Sequence, residues 1–506
     1  MRSAAGRQPN PSQPSKGRRE VLMMETITYP RKGLSMSDVF NQQLLDRITA
    51  QFETWMQGPG IMGGLQMHSC WGKTSVLGKR YQGQTICEYE FFSACAMQLY
   101  ERTGNPKWKR MVNDFISNVL YLQEPDGGFR HATAEFEPTF TSSPSCPIHQ
   151  CKPILTLLDY AAWEHADDVL KALIRPAIDR HWDWFQKTFW LRGNGGHHPL
   201  PYPAGWCGVT NQDLVAIAAL AAYGKLYGDW SRYETYGRPA LDVYLSPSYY
   251  YEQMGLFERG DGTNFAERTP YYTVILMMLK RIYAATSDAR LPGVMDNVVN
   301  HLFDAAYTAP DGLTHLAWGA TTDAGDKSHV TGWIRTPVTF SAYPGLIPFM
   351  EDYLARHPGS QNDSQNDSQD HSRKQAVLDG LKESLCAYIF ADGFLPAALW
   401  PKDPILSVTS APDTDKGLLW LYAIRYLGDS LQDPAPVSPR CVHRRLGNYT
   451  WKQRGKLWAI ERDGERVFGG YTPLAFGITH GPDEEPALGS FAELEECDVL
   501  EILPEA

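Results

Sequence analysis

Between Ser37 and Leu431 two kinds of helical segment alternate, and few folds accommodate such an alternation. One kind is amphipathic: Trp108, Met111, Val112, Phe115, Ile116, Val119 and Leu120 recur at i, i+3, i+4, i+7 and i+8, which places a single apolar stripe against a core. Val377, Leu378, Leu381, Leu385 and Ile389 repeat the pattern. The other kind is apolar on almost every side, as in Leu214 to Ala222, Val274 to Leu279 and Leu418 to Ile424, and must be buried all round. Amphipathic segments start near Ser37, Pro106, Asp167, Trp230, Leu291 and Arg373; apolar ones start near Thr85, Pro147, Asn211, Pro270, Pro337 and Thr414. Each apolar helix needs a neighbour on both flanks and an amphipathic helix behind it. The pattern predicts an all-α fold, a closed (α/α)6 toroid of six helical hairpins.

The links agree with this phasing. Those from an inner to an outer helix are short, as in Thr103-Gly104-Asn105 and Gly228-Asp229, while the reverse links run to roughly 18 to 29 residues and must share one face. Four of the long links contain Asp-Gly, at Asp126, Asp261, Asp311 and Asp392. Thr269-Pro270 and Thr336-Pro337 are expected to cap inner helices, and Pro176, Pro239, Pro344 and Pro348 to kink or shorten the helices that hold them. One short link is exceptional: 359–372 carries the tandem Gln-Asn-Asp-Ser and reads as a disordered polar insert. The expected organisation is a disordered leader over 1–36, the barrel over 37–431, and a small β appendage with an acidic tail over 432–506, in which Asp463-Gly464 marks a hairpin.

A formal charge of −11 disfavours nucleic acid as a partner, and the longest apolar run, Leu214 to Ala222, is far below the ~20 residues that span a bilayer. The first residues lack the apolar core of a secretory signal, and nine scattered cysteines read as reduced thiols, so a cytoplasmic location is expected. No phosphate loop or dinucleotide fingerprint occurs, so no cofactor is expected. No metal is expected either, since Cys146, His149 and Cys151 lack a second ligand pair.

Chemistry is expected at the mouth where the inner helices begin, because six helix N-termini and six long loops converge there. Trp71, His131, Trp206, Asn211, Asp261, Glu267, His315, Trp318, Trp333 and Trp400 fall in those loops or at those helix heads and are candidates for binding a small molecule. Aromatic rims with interspersed acids suit sugars, whose C–H faces stack while polar groups take the hydroxyls. Asp126, in Gln123-Glu-Pro-Asp-Gly-Gly-Phe129, and Asp213, in Thr210-Asn-Gln-Asp213, are the catalytic candidates, with His149 as a further acid or base.

On these motifs the chain resembles the six-hairpin glycosidase superfamily, nearest to the unsaturated glucuronyl and rhamnogalacturonyl hydrolases. Asp126-Gly-Gly-Phe129 is similar to their Asp-x-Gly-Phe loop, Asn211-Gln-Asp213 to the head of the helix bearing their second acid, and Asp311-Gly-Leu-Thr-His315 and Gly332-Trp333 to later elements. The resemblance implies an enzyme acting on a small glycoside or uronic-acid saccharide, with either Asn211 or Asp213 in the second acid's slot. A weaker likeness to linalool dehydratase-isomerase implies an alternative, a dehydratase, isomerase or cyclase of a terpenoid using Cys207, His149 and Asp126. A non-catalytic binding protein is the third reading.

Overall fold

The computed structural model describes residues 26–28, 33–56, 89–129, 147–190, 204–260, 266–322, 329–336, 338–340, 342–358, 365–389, 393, 395, 398–399, 413–437, 441–446, 449–454, 457–471 and 500–503. Among the described residues, six outer helices are α1 (Gln42–Met56), α3 (Pro106–Leu122), α5 (Asp168–Phe189), α7 (a π turn, Tyr233–Gly237, continued by Arg238–Tyr244), α9 (Leu291–Asp304) and α11 (Gln365–Tyr388). They alternate with α2 (Tyr89–Thr103), α4 (Pro147–Ala162), α6 (Thr210–Tyr227), α8 (Tyr272–Thr286), α10 (Tyr343–Arg356) and α12 (Asp413–Leu427). The even-numbered helices pack in the order α2, α4, α6, α8, α10, α12 and close the ring through α12 against α2, and each also packs on an outer helix. The expected (α/α)6 toroid is therefore the observed one.

The helix chemistry follows the two kinds of segment. In α3 the buried face is Trp108, Val112, Phe115, Ile116 and Val119, whereas α6 is buried over nearly all of Thr210 to Gly224. Asn105 caps α3 by accepting from the Lys107 amide, with Pro106 in the first turn, and Asp167 caps α5 through the amides of Val169 and Leu170. Gly228 ends α6 in the left-handed region at φ 70°, which a side chain adopts only with strain.

Several expectations are corrected. The Thr269 hydroxyl donates to the Ala317 carbonyl instead of capping α8, which is entered through a 3-10 turn over Thr269–Tyr271. α10 begins at Tyr343, beyond the expected start at Pro337, because Val338–Thr339 is first drawn into a strand against Ala398–Leu399; Pro344 therefore sits harmlessly in the first turn. The second Gln-Asn-Asp-Ser copy is not disordered: α11 starts at Gln365, and Asp370 pairs with Arg373 and Lys374 one turn on. Residues 359–364 lie outside the described residues.

Within the leader, Thr26–Thr28 forms a strand parallel to Leu500–Leu503, completing a six-stranded sheet with Cys441–Leu446, Tyr449–Arg454, Leu457–Arg462 and Glu465–Tyr471. Asp463 and Gly464, at φ 54° and 84°, make the tight turn their sequence suggested. The sheet ties the two ends of the described chain together. No helix among the described residues is long and apolar enough to cross a membrane.

Candidate functional site in the barrel lumen

Of the two aspartates singled out by sequence, Asp213 turns toward the outer layer and Asp126 lies in an exposed turn. Asp126 is exposed, and its Oδ1 accepts from the Gly128 amide within its own turn. That turn lies on outer helix α5: His181 Nδ1 bonds the Gly127 carbonyl, and Gln123 donates to the Ala177 carbonyl. Phe129 holds the loop to α4 by exchanging hydrogen bonds with the Gln150 side chain in both directions. Asp213 is fully buried and accepts from the amides of Trp206, Cys207 and Gly208 and from the Tyr244 hydroxyl of outer helix α7. Burial raises its pKa while these donors pull it down. Residues two apart on a helix point about 200° apart, so Asn211 faces away from α7 and toward the ring axis. Asn211 is buried, and its Oδ1 meets no partner among the described residues.

Several other candidates are buried. Trp206 is fully buried, donates to Gln186 and packs on Trp190. His315 is likewise fully buried, held at Nε2 by Asp311 (2.8 Å) and at Nδ1 by the Tyr343 hydroxyl (3.1 Å). Burial would raise the Asp311 pKa, yet His315, the Leu313 amide and the Tyr388 hydroxyl together hold it at about 2. Trp333 stacks on His301 at 5.2 Å, and Trp318 is half-buried with its carbonyl accepting from Thr269. Glu267 is buried and paired with Arg259 at 3.0 Å, beside Glu258, whose carboxylate accepts from Tyr251. Cys207 is fully buried with its thiol against Asp213, behind the ring of inner helices. Trp71, His131, Asp261 and Trp400 lie outside the described residues, as does Cys146.

Inside the ring the structure assembles a cluster that none of the loop motifs announced. Arg281 of α8 makes a bidentate ion pair with Asp159 of α4 (2.8 Å for each bond) and a further bond to Glu90 of α2 (3.1 Å). α8 is separated from α4 by α6 and stands across the ring from α2, so these contacts cross the barrel axis. Asp159 belongs to a stripe on α4 with His149, Lys152 and Thr156, all within about an 80° arc at 100° per residue. Gln150, which binds the outer loop, lies on the far side of the same helix. Lys152 is buried with its ammonium 5.6 Å from the Phe91 ring. Burial and then the Lys152 charge lower the His149 pKa to about 3, so its imidazole is neutral at pH 7. Burial opposes the charge on Arg281, but Asp159 and Glu90 outweigh it and raise its pKa.

These groups were legible in principle. In a helix that is otherwise apolar all round, charges that recur on one arc must face a lumen, since no outer surface is available to them.

Next to Arg281 the lumen widens into a cavity of about 350 Å³ between α8, α10 and α12. Its wall there is mostly apolar, with Met277, Pro348, Phe349, Leu418, Leu421 and Tyr422, and carries the charged Lys280, Asp352 and Arg425 beside Arg281. The lumen thus has a polar side, from α2 and α4, and an apolar side, with Arg281 between them.

No protein-family model matches the chain, and no curated protein matches its sequence. Among solved structures it is similar to a possible member of the GH105 family from Salmonella enterica serovar Paratyphi A, at 11% identity over 79% of this chain and 97% of that one, with a TM-score of 0.45. It is also similar to an unsaturated glucuronyl hydrolase specific for heparin, at 11% identity, 78% and 99% coverage and a TM-score of 0.44. A D-mannose isomerase matches at 12% identity over 78% of this chain and 97% of that one, with a TM-score of 0.48.

Proposed function

We propose that the chain is an enzyme acting on a small glycoside or uronic-acid saccharide by acid/base chemistry in the barrel lumen. The cross-axis cluster of Glu90, Asp159 and Arg281 carries this reading. Ionic groups inside a ring contribute little stability beyond what apolar side chains of similar volume supply, and removing water from them is costly. Their placement on the lumen therefore calls for a use other than holding the ring together. Carboxylates, a guanidinium, an ammonium and the inward-facing amide of Asn211 are the donors and acceptors that hydroxyl-rich ligands match.

In this scheme Asp159, a third exposed within the lumen, and Glu90 are the acid/base candidates. Arg281 orients both carboxylates, and neutral His149 accepts a hydrogen bond at the head of α4. Asp126 and Asp213 become positioning residues that shape the rim from behind. The polar α2–α4 wall favours a saccharide over the terpenoid alternative, whose thiol candidate Cys207 is turned away from the lumen. The test is a screen of unsaturated uronides, aryl glycosides and terpene alcohols on the wild type and Glu90→Gln. Turnover of a saccharide that falls at least ~100-fold in the variant is expected, since a placed acid or base contributes about 10²–10⁴. Turnover of terpene alcohols alone contradicts the reading.

A further inference from the structure

We infer that the sugar is one part of the ligand and that an apolar aglycone of about ten carbon atoms, aryl or monoterpenyl, fills the cavity between α8, α10 and α12. This rests on the saccharide reading of the same lumen and deepens it. A bare saccharide is polar around its whole edge and has no use for a chamber walled by Met277, Phe349, Leu418 and Leu421. The cavity is nonetheless continuous with the polar wall, because Arg281 lines it while bonding Asp159 and Glu90.

Its wall is built by one arc of each helix, apolar except for Lys280, Arg281, Asp352 and Arg425. Met277, Arg281 and Ala284 on α8, Gly345, Phe349 and Asp352 on α10, and Leu418, Tyr422 and Arg425 on α12 each follow i, i+3 or i+4, i+7 spacing. Gly345 keeps α10 close to α8, since a Cβ there would stand 2.3 Å from Thr273 Cγ2.

The cations around the cavity already have acidic partners. Asp352 stands 3.9 Å from Lys280 and 3.4 Å from Arg425, and Arg281 is committed to its two acids. Each cation of the lining thus already lies within 4 Å of an acid, and a neutral apolar group suits the chamber better than an anion. Lys280 and Arg425 are about half exposed or more, so the chamber opens to solvent beside them and a longer aglycone can protrude.

The experiment compares direct binding of three probes, glucuronic acid, 2-naphthol and 2-naphthyl glucuronide, by calorimetry. It uses the wild type and two cavity-filling variants on different helices, Leu421→Trp and Met277→Phe, with circular dichroism confirming that each is folded. The expected result is that 2-naphthyl glucuronide binds the wild type at least tenfold more tightly than glucuronic acid. That advantage is expected to vanish in either folded variant while glucuronic acid binding is unchanged. Equal affinity for the two sugars, or an advantage that survives both fills, overturns the aglycone assignment and leaves the saccharide reading standing if uronides are still turned over. Binding of 2-naphthol that the fills abolish, without binding of either sugar, overturns both.

Discussion

At the scale of single residues, the fate of the two motif aspartates follows from what each carboxylate bonds. Asp213 receives three main-chain amides and a tyrosine hydroxyl, and its substitution removes acceptor capacity at a site no water reaches. Asp213→Asn puts an NH2 group against that ring of donors. The expected outcome is a melting temperature lower by several degrees, measured by circular dichroism, with the 204–208 segment the first to lose hydrogen-exchange protection. An unchanged melting temperature contradicts the anchoring role. The sequence made Asp213 conspicuous because it stands at a helix head, but a helix head serves an outer anchor as well as an inner catalyst. Only the position of Tyr244 distinguishes them, and that position depends on how α7 packs.

At the scale of elements, the inner helices were readable because they are apolar over most of their surface, and the starts of α3, α4, α5 and α9 fall within a residue of expectation. Loops were read less well. The delayed start of α10 depends on a strand pairing between segments about sixty residues apart, which no local pattern encodes. The helical tandem copy shows the reverse: Asp370 with Arg373 and Lys374 is an i, i+3 and i, i+4 signal that a polar low-complexity reading overlooks. Close packing of α8 on α10 has its own test. Gly345→Ala forces a methyl into the Thr273 side chain at 2.3 Å, and Thr273, branched at Cβ in a helix, has little freedom to yield. Overpacking of this kind costs about 1–3 kcal/mol, so urea titration is expected to show a lower midpoint with an unchanged slope. A midpoint equal to that of the wild type contradicts the contact.

At the scale of the whole molecule, the buried titratable groups set the acid limb of stability. Burial lowers the pKa of His181 to about 4 and of His301 to about 3, from an ordinary 6.5, the former despite its bond to Gly127. The unfolded chain takes up protons on both below pH 6.5 while the folded chain does not, so stability falls as pH drops from 6.5 toward 4, by about 1.4 kcal/mol per pH unit for each histidine. Below the ordinary 3.8 of a carboxyl the fall continues to about 2, because Asp311 stays ionised in the folded chain. Asp213, raised by burial, works in the opposite sense just above 3.8. Urea unfolding at a series of pH values is expected to show this decline beginning near pH 6.5, and a flat profile down to pH 4 contradicts it.

The central claim is that chemistry belongs to the lumen and not to the outer rim. The most direct measurement is kcat for Asp159→Asn beside Asp126→Asn on one saccharide that the wild type turns over. The account predicts a loss of at least ~100-fold for Asp159→Asn and less than about threefold for Asp126→Asn, both folded. A large loss in Asp126→Asn with near-normal turnover in Asp159→Asn would contradict it.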